Sequence, residues 1–302
     1  MTRVLPYKSA DRSAGLDPVA DCVEIYRSLG TLEFPWDLNQ ALSFALFRTY
    51  AVPSIGRLLD ETGQFTGACQ KRYDDTALLL EAPLVHGFDS PEGRTGVRRV
   101  NQMHAMYDIS NDDMRYVLAT FVVVPKRWLD DFGWRPLTDG EVTASVHYYR
   151  TLGRRMAIKD VPETYEEFAD LMDSYEREHF AVDEGGRRVA DATLELLVSF
   201  YPSLAAPAVR RFSRALMDDP LLDAFAYDRP APFVRAVSTG ALKARARLVA
   251  LLPPRRTARL GIDTPRIRSY TGTPDLAAMG TFAPGCPVGP GLARERTASV
   301  AG

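Results

Sequence analysis

Apolar residues recur along this chain at a helical period from one end to the other. Val19, Cys22, Val23, Tyr26 and Leu29 share one face of a helix that Asp17-Pro18 opens, as N-cap and first helical residue, and Gly30 closes. A second helix is predicted over about 37–50, and Pro53 restarts the chain into Ile55, Leu58 and Leu59 as far as Gly63. From 68 to 86, Tyr73, Thr76, Ala77, Leu80 and Leu84 draw a stripe along a long helix, and Ser90-Pro91 opens another with Val97, Val100, His104 and Tyr107 on one side. Ser110 or Asn111 caps the next. It contains YVLATFVVV, apolar almost all round, and is the helix expected at the centre.

Pro125 is expected to break that run, with a short helix following to Gly133. Thr138-x-x-Glu141 is a capping box for a helix to about 158, and another covers about 164–179. Three or four more fall between 187 and 252, jointed at Pro202, Asp219-Pro220 and Pro230 to Pro232. No hairpin signal and no fixed-period repeat interrupts the series. The predicted fold is all-α, a single multi-helical domain over roughly 15–252. Residues 253–302 hold PPRR, TGTPD and APGCPVGPG, a Pro/Gly-rich composition that builds no core alone and predicts an extended tail partly laid over the domain.

The composition, 46% hydrophobic and 25% charged over 302 residues, belongs to a folded, water-soluble protein. A formal charge of -2 provides no global field for nucleic acid, so no nucleic-acid partner is expected. Cys22, Cys69 and Cys286 are odd in number and far apart, which argues against a disulfide framework or structural zinc and favours the cytoplasm. The first twenty residues lack the apolar core of a signal peptide, and no stretch approaches the 18 apolar residues of a membrane span. One segment is locally unbalanced. Residues 235–268 hold nine Lys or Arg and one acid, Asp263, while Val237, Ala241, Ala244, Leu248 and Leu251 form an apolar stripe. This basic amphipathic helix is expected to pack on the domain, with peripheral contact to an anionic membrane as the alternative.

Among the four histidines, His104 lies mid-helix in register with Val97 and Val100, so its imidazole faces inward. It is either a core histidine satisfied by a hydrogen bond or an axial ligand of a haem iron. His147, among aromatics in SVHYYR, is a second candidate ligand, though core packing explains it more simply. His86 and His179 stand at helix ends, where a cation suits the dipole. Arg72 and Thr76 share a helical face. A buried Arg beside a hydroxyl can polarise a bound oxygen species or hold a haem carboxylate, but spacing alone favours a solvated Lys71-Arg72 pair bonding Asp74 and Asp75. The acid doublets at 74–75, 112–113, 130–131 and 218–219 raise a magnesium-dependent diphosphate enzyme, but helix capping accounts for them more economically.

Taken together, FPWDLNQALSFALFRTYAVPSIGRLL, QKRYDDTALLLEAPLVHGFDSP, RRVNQMHAMYDISNDDMRYVLATFVVVPKRWLDDFGWRPLT and GRRMAIKDVPETYEEFADLMDSYEREHF resemble the MpaB-type oxygenase family. That family is related to the latex-clearing protein, or rubber oxygenase, and the resemblance covers about residues 15–285, including DDPLLDAF and MGTFAP. It implies a globin-related fold around one haem b, a histidine as proximal iron ligand, and dioxygen as co-substrate on the opposite face. It also implies oxidative cleavage of a carbon-carbon double bond in an apolar, isoprenoid-like substrate. The matching positions are His104 for the iron ligand and Arg72 and Thr76 for the distal, catalytic side, with Arg72 also against the cofactor. Two positions depart from the rubber oxygenases: Asp75 replaces a lysine just before the distal threonine, and Asp108 an arginine one turn after the ligand. The competing readings are a non-catalytic haem protein that binds a gas or lipophile, and a cofactor-free all-α interaction scaffold.

Overall fold

The computed structural model describes residues 12–282, and among them are thirteen α-helices and no strand. The central element is α7 (Asn111–Phe132). Ser110 caps it by accepting from the Asp113 backbone N–H at 3.0 Å, and Asp112 and Asp113 lie in the first turn at the positive end of the dipole. Its apolar run buries Tyr116, Leu118, Ala119, Val122 and Val123, and α2 (Pro35–Tyr50), α8 (Asp139–Arg155) and α9 (Tyr165–His179) pack around it.

Pro125 does not break this helix, which continues through the ring to Phe132. An interior proline costs a helix about 3 kcal/mol. The turns beyond it bury Trp128 and Leu129, each contributing on the order of 2 kcal/mol, so tertiary packing offsets the local preference.

The start of the chain also differs from expectation. Asp17 accepts from the Val19 and Ala20 N–H groups at 2.8 Å, but it caps only a turn, and α1 (Cys22–Ser28) begins further on. Gly30 does not close α1; the chain widens into a π-helical turn, Leu29–Glu33, with Phe34 N–H donating to the Leu29 carbonyl at 2.8 Å. The Thr138–Glu141 capping box forms as the spacing predicts, with reciprocal bonds of 3.2 and 2.9 Å. A buried pair then ties distant helices: Arg48 of α2 grips Glu176 of α9 with both ends of its guanidinium, and Tyr116 of α7 donates to Glu176 at 3.1 Å.

The pair that frames the candidate site is α5 (Cys69–His86) and α6 (Pro91–His104), joined by the turn at Gly87–Ser90. Their backbones touch where Gly96 crosses Leu79, because a Cβ on Gly96 would sit 2.5 Å from the Leu79 carbonyl oxygen. The helix ends at His104, so Tyr107, expected on the same helical face, lies in the following turn.

After α3 (Pro53–Glu61), the single turn α4 (Gln64–Gly67) and α10 (Glu184–Ser199), the chain forms α11 (Ala206–Ala215), α12 (Asp219–Ala224) and α13 (Pro232–Leu251). The last of these corrects the expected packing. Ser238, Leu242 and Ala246 are its buried face, whereas Val237, Leu248 and Leu251 of the apolar stripe are 65–70% exposed, and Phe233 beside them is 71% exposed. No helix among the described residues is long and apolar enough to cross a membrane.

Residues 253–282 run back over α5 and α6. Asp74 accepts from the backbone N–H groups of Arg268 and Ser269 at 3.1 and 2.8 Å, and Gln70 bridges Asp74 to the Arg266 carbonyl at 2.8 Å. Tyr270 donates to Asp75, which also holds Lys71 at 2.6 Å. Arg99, buried on α6, donates twice to the Met279 carbonyl, at 3.0 and 2.7 Å, and lies 4.1 Å from the ring centre of Phe282. The part of the expected tail beyond 282, with Cys286, lies outside the described residues; Cys22 and Cys69 are free.

Candidate active site

Arg72 and Thr76 lie one turn apart on α5, and their side chains meet: an Arg72 terminal N–H donates to Thr76 Oγ1 at 2.7 Å, while the Thr76 hydroxyl donates to the Arg72 carbonyl at 2.9 Å. The solvated Lys71-Arg72 pair suggested by spacing is only half formed. Lys71 takes Asp75, but Arg72 is half-buried and has no carboxylate within ion-pair distance among the described residues. Burial pushes the guanidinium below its ordinary pKa. A cation withdrawn from water without an anion beside it is poised for one supplied by a ligand.

His104, the last residue of α6, is held across from α5 by the Gly96 crossing. Its Nδ1 is buried and has no hydrogen-bond partner. Burial, and then the positive charge of Arg72, push the imidazole down to about 4, so it is neutral at physiological pH. The neutral imidazole is the form that binds a metal. No group of three or more His, Cys, Asp or Glu among the described residues comes together to hold an ion. A metal on His104 would have to bring most of its other ligands with it, as a haem macrocycle does, and the unpartnered imidazole and guanidinium fit such a group.

The other histidines fall elsewhere. His147 is half-buried on α8, and after burial the charges acting on it are those of Arg150, Arg154, Asp17 and Glu163, none of them in this site. His86 and His179 are exposed at the last turns of α5 and α9, as expected, with His179 stacked on Tyr175 at 4.0 Å. The acid doublets need correction in part. Asp113 and Asp218 serve helix starts, but Asp130 pairs with Lys126 at the far end of α7, and Asp74 and Asp75 anchor the tail.

Residues with no sequence signal complete the surroundings of Arg72. The Phe65 ring lies 5.8 Å from its guanidinium carbon, and the Tyr50 and Tyr107 hydroxyls act on it electrostatically. The Tyr50 hydroxyl and that of Thr193, on α10, are both buried without a hydrogen-bond partner of acceptable geometry. These side chains come from four separate segments, and only tertiary packing brings them together. Met103, beside His104, is packed under Gly280 of the tail.

The all-α fold thus brings an inward histidine opposite an arginine-hydroxyl pair, and comparison with known proteins gives the class to which the chain belongs. Residues 38–278 match the family described as ER-bound oxygenase mpaB/B'/Rubber oxygenase, catalytic domain, and the chain belongs to that family. It is 32% identical over 257 residues to ER-bound oxygenase mpaB' of Penicillium brevicompactum, covering 79% of this chain and 61% of that protein. It is also 32% identical over 225 residues to ER-bound oxygenase mpaB of Penicillium roqueforti, covering 68% of this chain and 76% of the relative. The match thus spans about three fifths of the mpaB' relative.

Proposed function

We propose that this chain is a haem b-dependent oxygenase that uses dioxygen to cleave a carbon-carbon double bond of an apolar, isoprenoid-like substrate. The observation that carries the reading is the neutral, unpartnered imidazole of His104 opposite the anion-free guanidinium of Arg72. His104 would hold the haem iron, which when bound supplies the redox chemistry for dioxygen. Arg72 keeps one N–H on Thr76 and has others free to donate to negative charge that develops on oxygen. Thr76 fixes the orientation of that guanidinium, because its hydroxyl is itself tied to the backbone of α5. One double bond and one dioxygen become two carbonyl groups, so the overall conversion balances without a further oxidant.

The test is the visible spectrum and iron content of protein expressed with haem precursor, wild type beside His104→Ala, followed by oxygen uptake with candidate alkenes. A Soret band with near-equimolar iron in the wild type alone, and alkene-dependent oxygen uptake that Arg72→Ala diminishes, is the expected result. Haem without turnover of any alkene would favour the gas- or lipophile-binding protein. A folded, colourless, iron-free wild type would favour the scaffold.

A further inference from the structure

The outward face of α13 combines two properties that rarely meet on a monomer surface by chance. At 100° per residue, Phe233, Val237, Ala244, Leu248 and Leu251 fall within about 60° of one another, on the side away from the buried Ser238, Leu242 and Ala246. Nothing among the described residues covers them. Lys243 and Arg247 border this stripe along one edge, and Arg256 and Arg259 follow beyond the helix end, all exposed.

The cations divide by role. Arg235 and Arg245, nearer the domain, are paired with Asp219 at 2.5 Å and Asp37 at 2.8 Å. Lys243, Arg247, Arg256 and Arg259 have no carboxylate partner among the described residues. Nine cations against one acid give residues 235–268 a formal +8, and since the whole chain carries -2, the remainder carries -10. With Arg235 and Arg245 neutralised by their acids, the four unpartnered cations are the charge that lies along and just beyond the exposed apolar stripe.

We propose that α13 is a docking surface for an anionic lipid bilayer. Phe233, Val237, Leu248 and Leu251 enter the boundary between headgroups and acyl chains, while Lys243, Arg247, Arg256 and Arg259 lie on the lipid phosphates. A second copy of the chain fits this face less well. Two-fold pairing through α13 would bring Lys243 and Arg247 of both copies together with no carboxylate between them, and like charges across an interface oppose association. A bilayer reverses that term, because lipid phosphates attract the same cations.

Flotation of the full chain with phosphatidylcholine vesicles, with and without phosphatidylglycerol, at low and high salt, tests the proposal. The wild type is expected to float only with the anionic vesicles and to be released by salt. The triple variant Lys243→Gln, Arg247→Gln, Arg256→Gln is expected to lose about a hundredfold in partitioning, at roughly fivefold per cation removed. The variant Phe233→Ser, Leu248→Ser, Leu251→Ser should lose flotation while keeping a wild-type circular dichroism spectrum, since all three side chains point into solvent. Absence of the wild type from anionic vesicles at low salt overturns the proposal, as does undiminished binding by both variants. So does a wild-type dimer in sedimentation velocity that ignores vesicles and that the serine variant converts to monomer, which would make a second copy the occupant.

Discussion

The crossing of α5 and α6 at Gly96 sets the position of His104 relative to Arg72, and alanine there probes both stability and function. In a helix interior, Gly→Ala adds about 1 kcal/mol of helix propensity. At Gly96 the new methyl would lie 2.5 Å from the Leu79 carbonyl oxygen and 3.2 Å from the Ala82 Cβ, and ordinary contact begins at 3.4 Å. The helices must separate by about 1 Å, and since the nearest atom is backbone there is no side-chain tip to rotate away. Overpacking of this kind costs about 3 kcal/mol. The net loss is then about 2 kcal/mol, a fall of about 3 °C in Tm for a chain of this size. Gly240, exposed on α13, is the control: nothing among the described residues lies within 4 Å of its added Cβ, so Gly240→Ala should raise Tm by about 1.5 °C. The same substitution thus acts with opposite signs at two helical sites, readable by thermal melts on both variants. A Gly96→Ala protein that melts at or above the wild type refutes the crossing geometry. If the site is catalytic as proposed, a shift of about 1 Å between Arg72 and His104 should also lower turnover by on the order of a hundredfold, with Gly240→Ala unaffected.

Three further outcomes follow from particular contacts. Glu176→Gln leaves Arg48 with only the more exposed Asp218, at 2.7 Å, and should cost about 2–3 kcal/mol in urea unfolding, whereas the double variant Arg48→Met, Glu176→Leu should recover most of that loss. Arg99→Met removes two bonds to the Met279 carbonyl and should speed trypsin cleavage at Arg266 and Arg268 without altering the helical content of the domain. Asp173 is held below its ordinary pKa by its hydrogen bonds to Arg127, so its small contribution is present above pH 3.8 and lost as pH falls below it. The stability gap between wild type and Asp173→Asn, measured by urea unfolding, should close over that acid range.

Much of the fold was legible because its signals are local. Ser90, Ser110, Thr138 and Thr164 cap helices where the spacing of polar and apolar residues puts the first turns. The errors arose where tertiary packing overrides a local rule, at Pro125, which α7 absorbs, and at Gly30, where Leu84 of α5 comes within 3.3 Å of an added Cβ. The stripe of α13 departs from expectation for a different reason. Periodicity identifies an apolar face but not whether the domain or another surface meets it, and the domain uses the smaller Ser238–Leu242–Ala246 face instead. At the site, Arg72, Thr76 and His104 were reachable from the sequence through family resemblance. Tyr50 and Phe65 were not, since their nearness to Arg72 depends on how α4 and α10 pack against α5 and how α10 packs against α2.

Asp75 shows how a departure beside the site can belong to a different task. It immediately precedes Thr76, where the resemblance to rubber oxygenases places a lysine, and adjacent residues on a helix point about 100° apart. Its buried carboxylate is taken by Lys71 at 2.6 Å and by the Tyr270 hydroxyl, so it faces the tail and not the Arg72–Thr76 pair. Its charge still reaches Arg72 and favours the guanidinium cation, though less than burial opposes it. The two faces of α5 can therefore be separated by mutation. Asp75→Asn should loosen residues 253–282, seen as faster trypsin cleavage after Arg266 and Arg268, while haem content, if the proposed cofactor is present, stays at the wild-type level. Thr76→Val should leave the tail as resistant as in the wild type, because Thr76 makes no bond to it, but it frees the Arg72 guanidinium from its anchor and should reduce alkene-dependent oxygen uptake. If Asp75→Asn leaves the tail resistant and Thr76→Val releases it, the division of α5 into an anchoring face and a site face is wrong.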